Sequence, residues 1–276
     1  MAAPGDGPAV GADGARAARG QPEHPAFVKA AKSNKAGTVF ALDSSGKAAG
    51  VCVLENGVVR YEKNLDAGRT HSETLLPLAI EAFEAAGLAP ADVDLFAVTA
   101  GPGSFTGLRI GMSLVKGLAL PAGTPAVGVS TLEALAEATL FVARPEGAVI
   151  VPALDARRSE VYWAAFDAAE NRPRRLLPDT AGPAAGMLEN DVFSGRDVFF
   201  VGDGAEICYN NNNCGPNIRR RYEGDLPVPI AKGAAFAALA VRETGPAAGL
   251  RPQYLRLSQA ERERRERLEQ EHRLRQ

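Results

Sequence analysis

Asp94–Leu120 reads DLFAVTAGPGSFTGLRIGMSLVKGLAL, and this stretch decides the fold. Leu95–Thr99 is apolar and β-prone, which predicts a strand. Gly101-Pro102-Gly103 breaks it, and Ser104 or Thr106 can cap a helix reaching about Leu120. That helix would carry glycine at 107, 111 and 117, each costing about 1 kcal/mol relative to alanine in a helix interior. Gly107 and Gly111 lie one turn apart on one face. They form a flat strip where another helix or a backbone can come close. Two uses of the loop stay open: a tight turn ahead of a packing helix, or backbone N–H groups and a helix dipole offered to a phosphate. GPGSFTGLR has no Gly-Lys-Ser/Thr, and its third glycine is one residue late for G-x-G-x-x-G.

Upstream, TVFALDSS from Thr38 is a strand ending on a carboxylate. AAGVCVLENG is a second strand closed by Asn56-Gly57, a two-residue hairpin signal, and VVRYEKNL is a third. A helix follows from about His71 to Ala86, with capping-box spacing at Thr70-x-x-Glu73 and a stop at Gly87. Leu76, Ile80 and Phe83 form its apolar stripe, which Leu75 and Ala79 widen. Pro77 favours a regular helix starting nearer Glu73, where proline would fall in the first turn. The resulting βββαβα order suggests the ribonuclease-H-like unit that actin-like ATPases repeat. The expected fold is therefore α/β, with two such lobes of mixed sheet and the second one reduced.

Downstream, 124–130 is a buried strand, and Ser130-x-x-Glu133 caps a helix to about Leu140. From Gly147, GAVIVPALDA and SEVYWAAFDA make a hairpin turned at Arg157-Arg158. A polar, proline-rich crossing leads to the strand DVFFVGDGAE and an alanine-rich helix over Ile230–Thr244, with Asn210–Asn213 in a loop. The lobes are thus expected at 38–146 and 147–257. Residues 1–36 hold 20 alanine, glycine and proline residues, too few apolar groups to offset ordering, and read as a disordered tail. Residues 258–276 place Glu four positions before Arg repeatedly, as on an exposed helix.

The 276 residues carry a formal net charge of −2, so there is no global pull toward nucleic acid. Cys52, Cys208 and Cys214 have no familiar metal spacing and suggest reduced thiols. No apolar run approaches the roughly 18 residues a membrane span needs. The cytoplasm is the expected compartment.

Candidate chemistry starts at Asp43, Ser44 and Ser45, at the end of the first strand. In a ribonuclease-H-like nuclease such an aspartate would share a metal with other carboxylates. Here the fourth strand ends Thr99-Ala100-Gly101 without an acid, leaving only Glu73 or Glu81 as a second ligand. Turn capping and a vestigial phosphate contact both remain open for this trio. Of His24, His71 and His272, only His71 lies in the predicted fold, and one histidine does not make a metal site. No G-x-S-x-G elbow supports a serine hydrolase.

AGPGSFTGLRIG, with ALDSS (41–45) and HSETLLP (71–77), resembles the TsaB family. Weaker matches continue through LDARRSEVY (154–162), VGDGAE (201–206) and PQYLRLSQAE (252–261). TsaB proteins are the non-catalytic, dimerising subunits of the bacterial machinery that makes threonylcarbamoyladenosine in tRNA. The resemblance implies a chain with no intrinsic cofactor, its partner being a catalytic TsaD-like homologue that holds nucleotide and metal. A small TsaE-like ATPase would bind the pair, a homodimer is an alternative state, and tRNA would be met through the complex. Pairing through first-lobe helices would use His71, Leu75, Leu76, Ile80, Phe83, Gly107, Leu108, Arg109, Gly111 and Leu114, with the glycine strip facing the partner. The alternative is a small active ATPase or kinase using Asp43 and the Gly101–Gly107 loop.

Overall fold

The computed structural model describes residues 37–66, 68–143, 145, 147–168, 172–212, 228–241, 243–256 and Arg267. The expected leader and the charged terminal helix, Arg267 aside, lie outside the described residues. Strands β1 (Thr38–Asp43), β2 (Ala49–Glu55) and β3 (Val58–Leu65) form an antiparallel meander. Asn56 and Gly57 both take positive φ, 49° and 71°, as a two-residue hairpin turn requires. Helix α1 (His71–Ala86), strand β4 (Leu95–Gly101), helix α2 (Phe105–Ala119) and strand β5 (Pro125–Ser130) complete the unit. β4 joins β1 and β5 in parallel, and β10 (Gly245–Pro246) closes the sheet in the order β10-β5-β4-β1-β2-β3.

The second sheet repeats the plan with fewer strands. β6 (Val149–Asp155), β7 (Glu160–Ala168) and β8 (Pro173–Pro183) are antiparallel neighbours, and β9 (Val198–Val201) runs parallel to β6, giving β8-β7-β6-β9. Two ribonuclease-H-like lobes, the second reduced, are therefore present.

Helix α3 (Thr131–Val142) links the lobes, as its N-cap serine predicts: the Ser130 hydroxyl accepts from Glu133 N–H at 3.2 Å. Ala134 packs in the core beside β1 and β5, while Leu132, Leu135 and Ala136 pack with Ile150 and Phe166 of the second lobe. Helices α1 and α2 cover the other face of the first sheet, and α4 (Ala205–Asn211) packs on the second. Among the described residues no helix is long and apolar enough to cross a membrane.

Several details depart from the sequence reading. α1 begins at His71, not near Glu73, because the Glu73 carboxylate accepts both the backbone N–H and the hydroxyl of Thr70, fixing the first turn there. Pro77 consequently sits inside the helix, on its exposed side. The proline-rich crossing is β8, an 11-residue edge strand that tolerates proline because only β7 pairs with it. Asn210 and Asn211 end α4 rather than lying in a loop. The alanine-rich helix, α5 (Ile230–Ala238), is shorter than expected and lies on the first sheet. Gly233 fits against the Ala134 carbonyl of α3 where any side chain would collide, which draws this late segment back to the first lobe. The chain therefore returns to the first lobe near residue 230.

The glycine strip also faces inward. A Cβ on Gly107 would overlap the Ser44 carbonyl, and one on Gly111 would meet Ser44 Oγ and Leu42. The strip lets α2 settle onto the end of β1; it is not turned to a partner. Gly107→Ala should therefore lower the thermal midpoint by several degrees, overpacking costing about 1–3 kcal/mol. An unchanged melting curve would mean that the helix can shift away freely.

α3 also buries a carboxylate. Glu137 is 1% exposed, bonds Arg172 at 3.1 Å through Oε1, and leaves Oε2 without a partner. Burial outweighs the Arg172 charge and pushes its pKa from 4.5 to about 7. Its folded pKa being raised, folding favours the protonated form, and stability falls as pH rises from about 4.5 through 7. Relative to Glu137→Gln, the protein should lose up to about 3 kcal/mol over that window, by urea unfolding at pH 5 and 8. Parallel pH profiles of the two proteins would contradict it.

Candidate functional site

Three separated motifs meet where β1 ends. Asp43 is buried, and its Oδ1 accepts from Ser45 N–H at 3.1 Å, Ser45 hydroxyl at 2.6 Å and Thr99 hydroxyl at 2.7 Å. Burial raises its pKa above the ordinary carboxylate value, against those hydrogen bonds. Ser44 donates its hydroxyl to the Gly107 carbonyl at 2.9 Å, and the Ser45 carbonyl accepts Ser104 N–H at 2.7 Å. Gly103 gives that strand end its space: φ is 153°, and a Cβ would strike Ser45. His71 Nε2 lies 2.9 Å from the Gly46 carbonyl, holding the next turn residue. ALDSS, HSET and GPGSFTG thus form one hydrogen-bonded joint. Its Asp43 carboxylate caps a turn and ties β1 to β4. Glu73 is engaged with Thr70, and Glu81 accepts from Tyr61 at 2.6 Å and Lys63 at 2.9 Å. These side chains do not assemble into a metal-holding set with Asp43.

Beside the joint, a cleft of ≈ 350 Å³ opens between the lobes. Ser45, Gly46, Lys47 and the Gly103–Phe105 loop line the first-lobe side. Asp155, Arg157, Tyr162 and Asp203 line the other, and Gln253–Arg256 runs along it. The β6–β7 turn there is conformationally costly: Arg157, Arg158 and Ser159 all have positive φ, between 58° and 69°. About 1–2 kcal/mol per residue is spent on that handedness. The Asp155 carboxylate offsets part of it by accepting Arg157 N–H at 2.7 Å. Asp203, which accepts Asp155 N–H at 2.9 Å, has its pKa raised by burial and by the Asp155 charge, with Lys47 opposing. The cleft lining therefore holds two carboxylates, Asp155 and Asp203, and three cations, Lys47, Arg157 and Arg256. Sequence reasoning placed Arg157 in a hairpin turn but assigned no functional role to it or to Lys47, Asp155, Asp203, Tyr254 or Arg256, although all but Lys47 lie in the weaker matching segments.

The expected pairing residues divide sharply. Leu75, Phe83 and Leu108 are core, Phe83 stacking on Phe40 at 4.7 Å, and Leu114 is packed against that core. Gly107 and Gly111 meet Ser44, and His71 holds Gly46. Arg109 is exposed, but its Nε donates to the Tyr254 hydroxyl at 2.8 Å. Only Leu76 and Ile80, one turn apart on α1 and each 48% exposed, offer free apolar surface.

A family model described as TsaD, tRNA N6-adenosine threonylcarbamoyltransferase, matches residues 65–213, more than half of the chain. The chain belongs to the TsaD family. Within it, the recognised likeness is to TsaB. The TsaB protein of Escherichia coli is 37% identical over 134 residues, 48% of this chain and 56% of that one. The chain thus spans about half the length of that relative, and likewise 52% of the Haemophilus influenzae one. The Bacillus subtilis TsaB matches more widely, 29% identical over 81% of this chain and 96% of its own. A Pseudomonas aeruginosa structure, described as an uncharacterized protein with similarity to peptidase YEAZ, superposes with a TM-score of 0.68. It is 29% identical and is covered completely, by 80% of this chain.

The joint generates a sharp expectation. Asp43→Ala strands three donors and should destabilise the fold by at least about 2 kcal/mol. Asp43→Asn keeps an acceptor oxygen and should cost markedly less. Chemical unfolding distinguishes them, and equal losses would show that the carboxylate does not organise the turn.

Proposed function

We propose that this chain acts in threonylcarbamoyladenosine formation on tRNA as a non-catalytic subunit. It binds and activates a catalytic TsaD-like homologue that moves threonylcarbamoyl from its adenylate to the adenosine beside the anticodon. In this reading the nucleotide and metal belong to the catalytic partner, a TsaE-like ATPase joins the pair, and tRNA is met through the complex. The supports are the family membership, the TsaB likeness that extends over most of the Bacillus subtilis relative, and the commitment of Asp43 to structural bonds. The observation that carries it is the exposed Leu76/Ile80 pair on a helix whose opposite face is fully committed to the core. Two half-exposed aliphatic side chains on consecutive turns are what a helix-to-helix contact uses.

Leu76→Glu with Ile80→Glu should abolish co-elution with the TsaD-like homologue of the same cells while the melting curve stays within a degree or two, as surface changes do. Retained co-elution would remove α1 from the contact. Steady ATP turnover by the pure chain, lost in Asp43→Asn, would replace this reading with a small ATPase.

A further inference from the structure

The two lobes share α3 as a common support, and a second tie crosses between them at the cleft. Leu250 is buried in the first-lobe core, and the chain then runs without regular structure from Arg251 to Arg256. On the first lobe, Gln253 N–H donates to the Ala100 carbonyl at 2.7 Å, and its own carbonyl passes over Gly101, where a Cβ would block it. Gly101 takes φ 121°, a conformation suited to glycine. The Tyr254 ring stacks on Phe105 at 4.5 Å, and Arg109 caps the pair, its guanidinium 3.9 Å from the Phe105 centroid. Two residues later the chain is on the second lobe. Arg256 donates to the Ala156 carbonyl at 3.3 Å, pairs with Glu160 and lies 5.8 Å from the Tyr162 centroid.

We propose that Arg251–Arg256 is an interlobe latch that sets how far the cleft between Lys47 and Arg157 opens. α3 packs on both sheets and can act as a hinge, so the opening angle needs a second constraint. The strap supplies it, with one anchor per lobe separated by a single residue. Both anchors lie outside the core clusters, Tyr254 being 38% exposed and the Arg256 side chain 16%, so they can be released without removing a core residue. The Gly101-Pro102-Gly103 segment has a double use in this arrangement: Gly103 admits the Ser45 turn and Gly101 admits the strap.

The test uses the full chain with Glu84→Cys on α1 and Glu189→Cys on the second lobe, and with Cys214→Ser. Cys52 and Cys208 are buried and do not compete for label. Spin labels at the two sites report the interlobe distance by pulsed electron resonance. The parent should give one narrow distribution. Tyr254→Ala, which removes the first-lobe anchor, and Arg256→Gln, which removes the second, should each broaden it toward longer distances while thermal unfolding stays cooperative. Arg256→Gln alters an anchor outside either core, so it keeps the test valid if Tyr254→Ala fails to fold. A distribution in Arg256→Gln identical to the parent's would overturn the latch.

Discussion

The approach of α2 to the end of β1 sets the geometry on which the first lobe depends. Ser44 lies against Gly107 and Gly111 with its hydroxyl on the Gly107 carbonyl. A β-carbon at either glycine would lift the helix, and the Ser104–Ser45 backbone bond would be lost with it. Helix propensity is given up at two positions, about 1 kcal/mol each, to bring two backbones together. The Ser44–Gly107 hydrogen bond is buried, so a shift that breaks it without admitting water leaves both groups unpaired.

The second lobe reuses the same layout with different chemistry. Its sheet has the first lobe's central order, and its first hairpin turn faces the cleft opposite the β1–β2 turn. Where the first turn is stitched to a glycine loop, the second holds three residues at positive φ with the Asp155 carboxylate as a local acceptor. Gly202 and Gly204 perform for this lobe what Gly107 performs for the other, lying against the Ala153–Leu154 backbone too closely for a side chain. Both lobes thus present tightly packed backbone turns to one cleft.

Local periodicity was enough to read β1 through β7, α1 through α3 and the ribonuclease-H-like order, because each has a matching cap, turn or alternation. Ser104 and Ser130 accept the bonds their positions predict. What local pattern cannot carry is the direction of a face. Gly107 and Gly111 mark close approach in either case, and only the position of Ser44 decides what approaches. The same holds for α5: its alanines fit any sheet, and Gly233 against Ala134 selects the first lobe. β8 was hidden by Pro173, Pro178 and Pro183, which an edge strand accommodates and a central one does not.

Most of the apolar positions on α1 and α2, including those expected to pair with a partner, are thickness of core. Phe83 reaches Phe40, Leu108 and Val115 are fully enclosed, and Leu114 and Leu118 are packed at the margin. A helix that presses closely on a sheet through glycine brings its flanking side chains into the core as well, so the number of apolar positions overstates the free surface. Leu76 and Ile80 escape because they lie on the outer side of α1 with Pro77 and Ser72. Arg109, on the exposed side of α2, is spent on Tyr254 and Phe105. The closer the glycine contact, the less apolar surface the facing sides of these helices leave outward, and of the expected pairing residues only Leu76 and Ile80 keep theirs half-exposed.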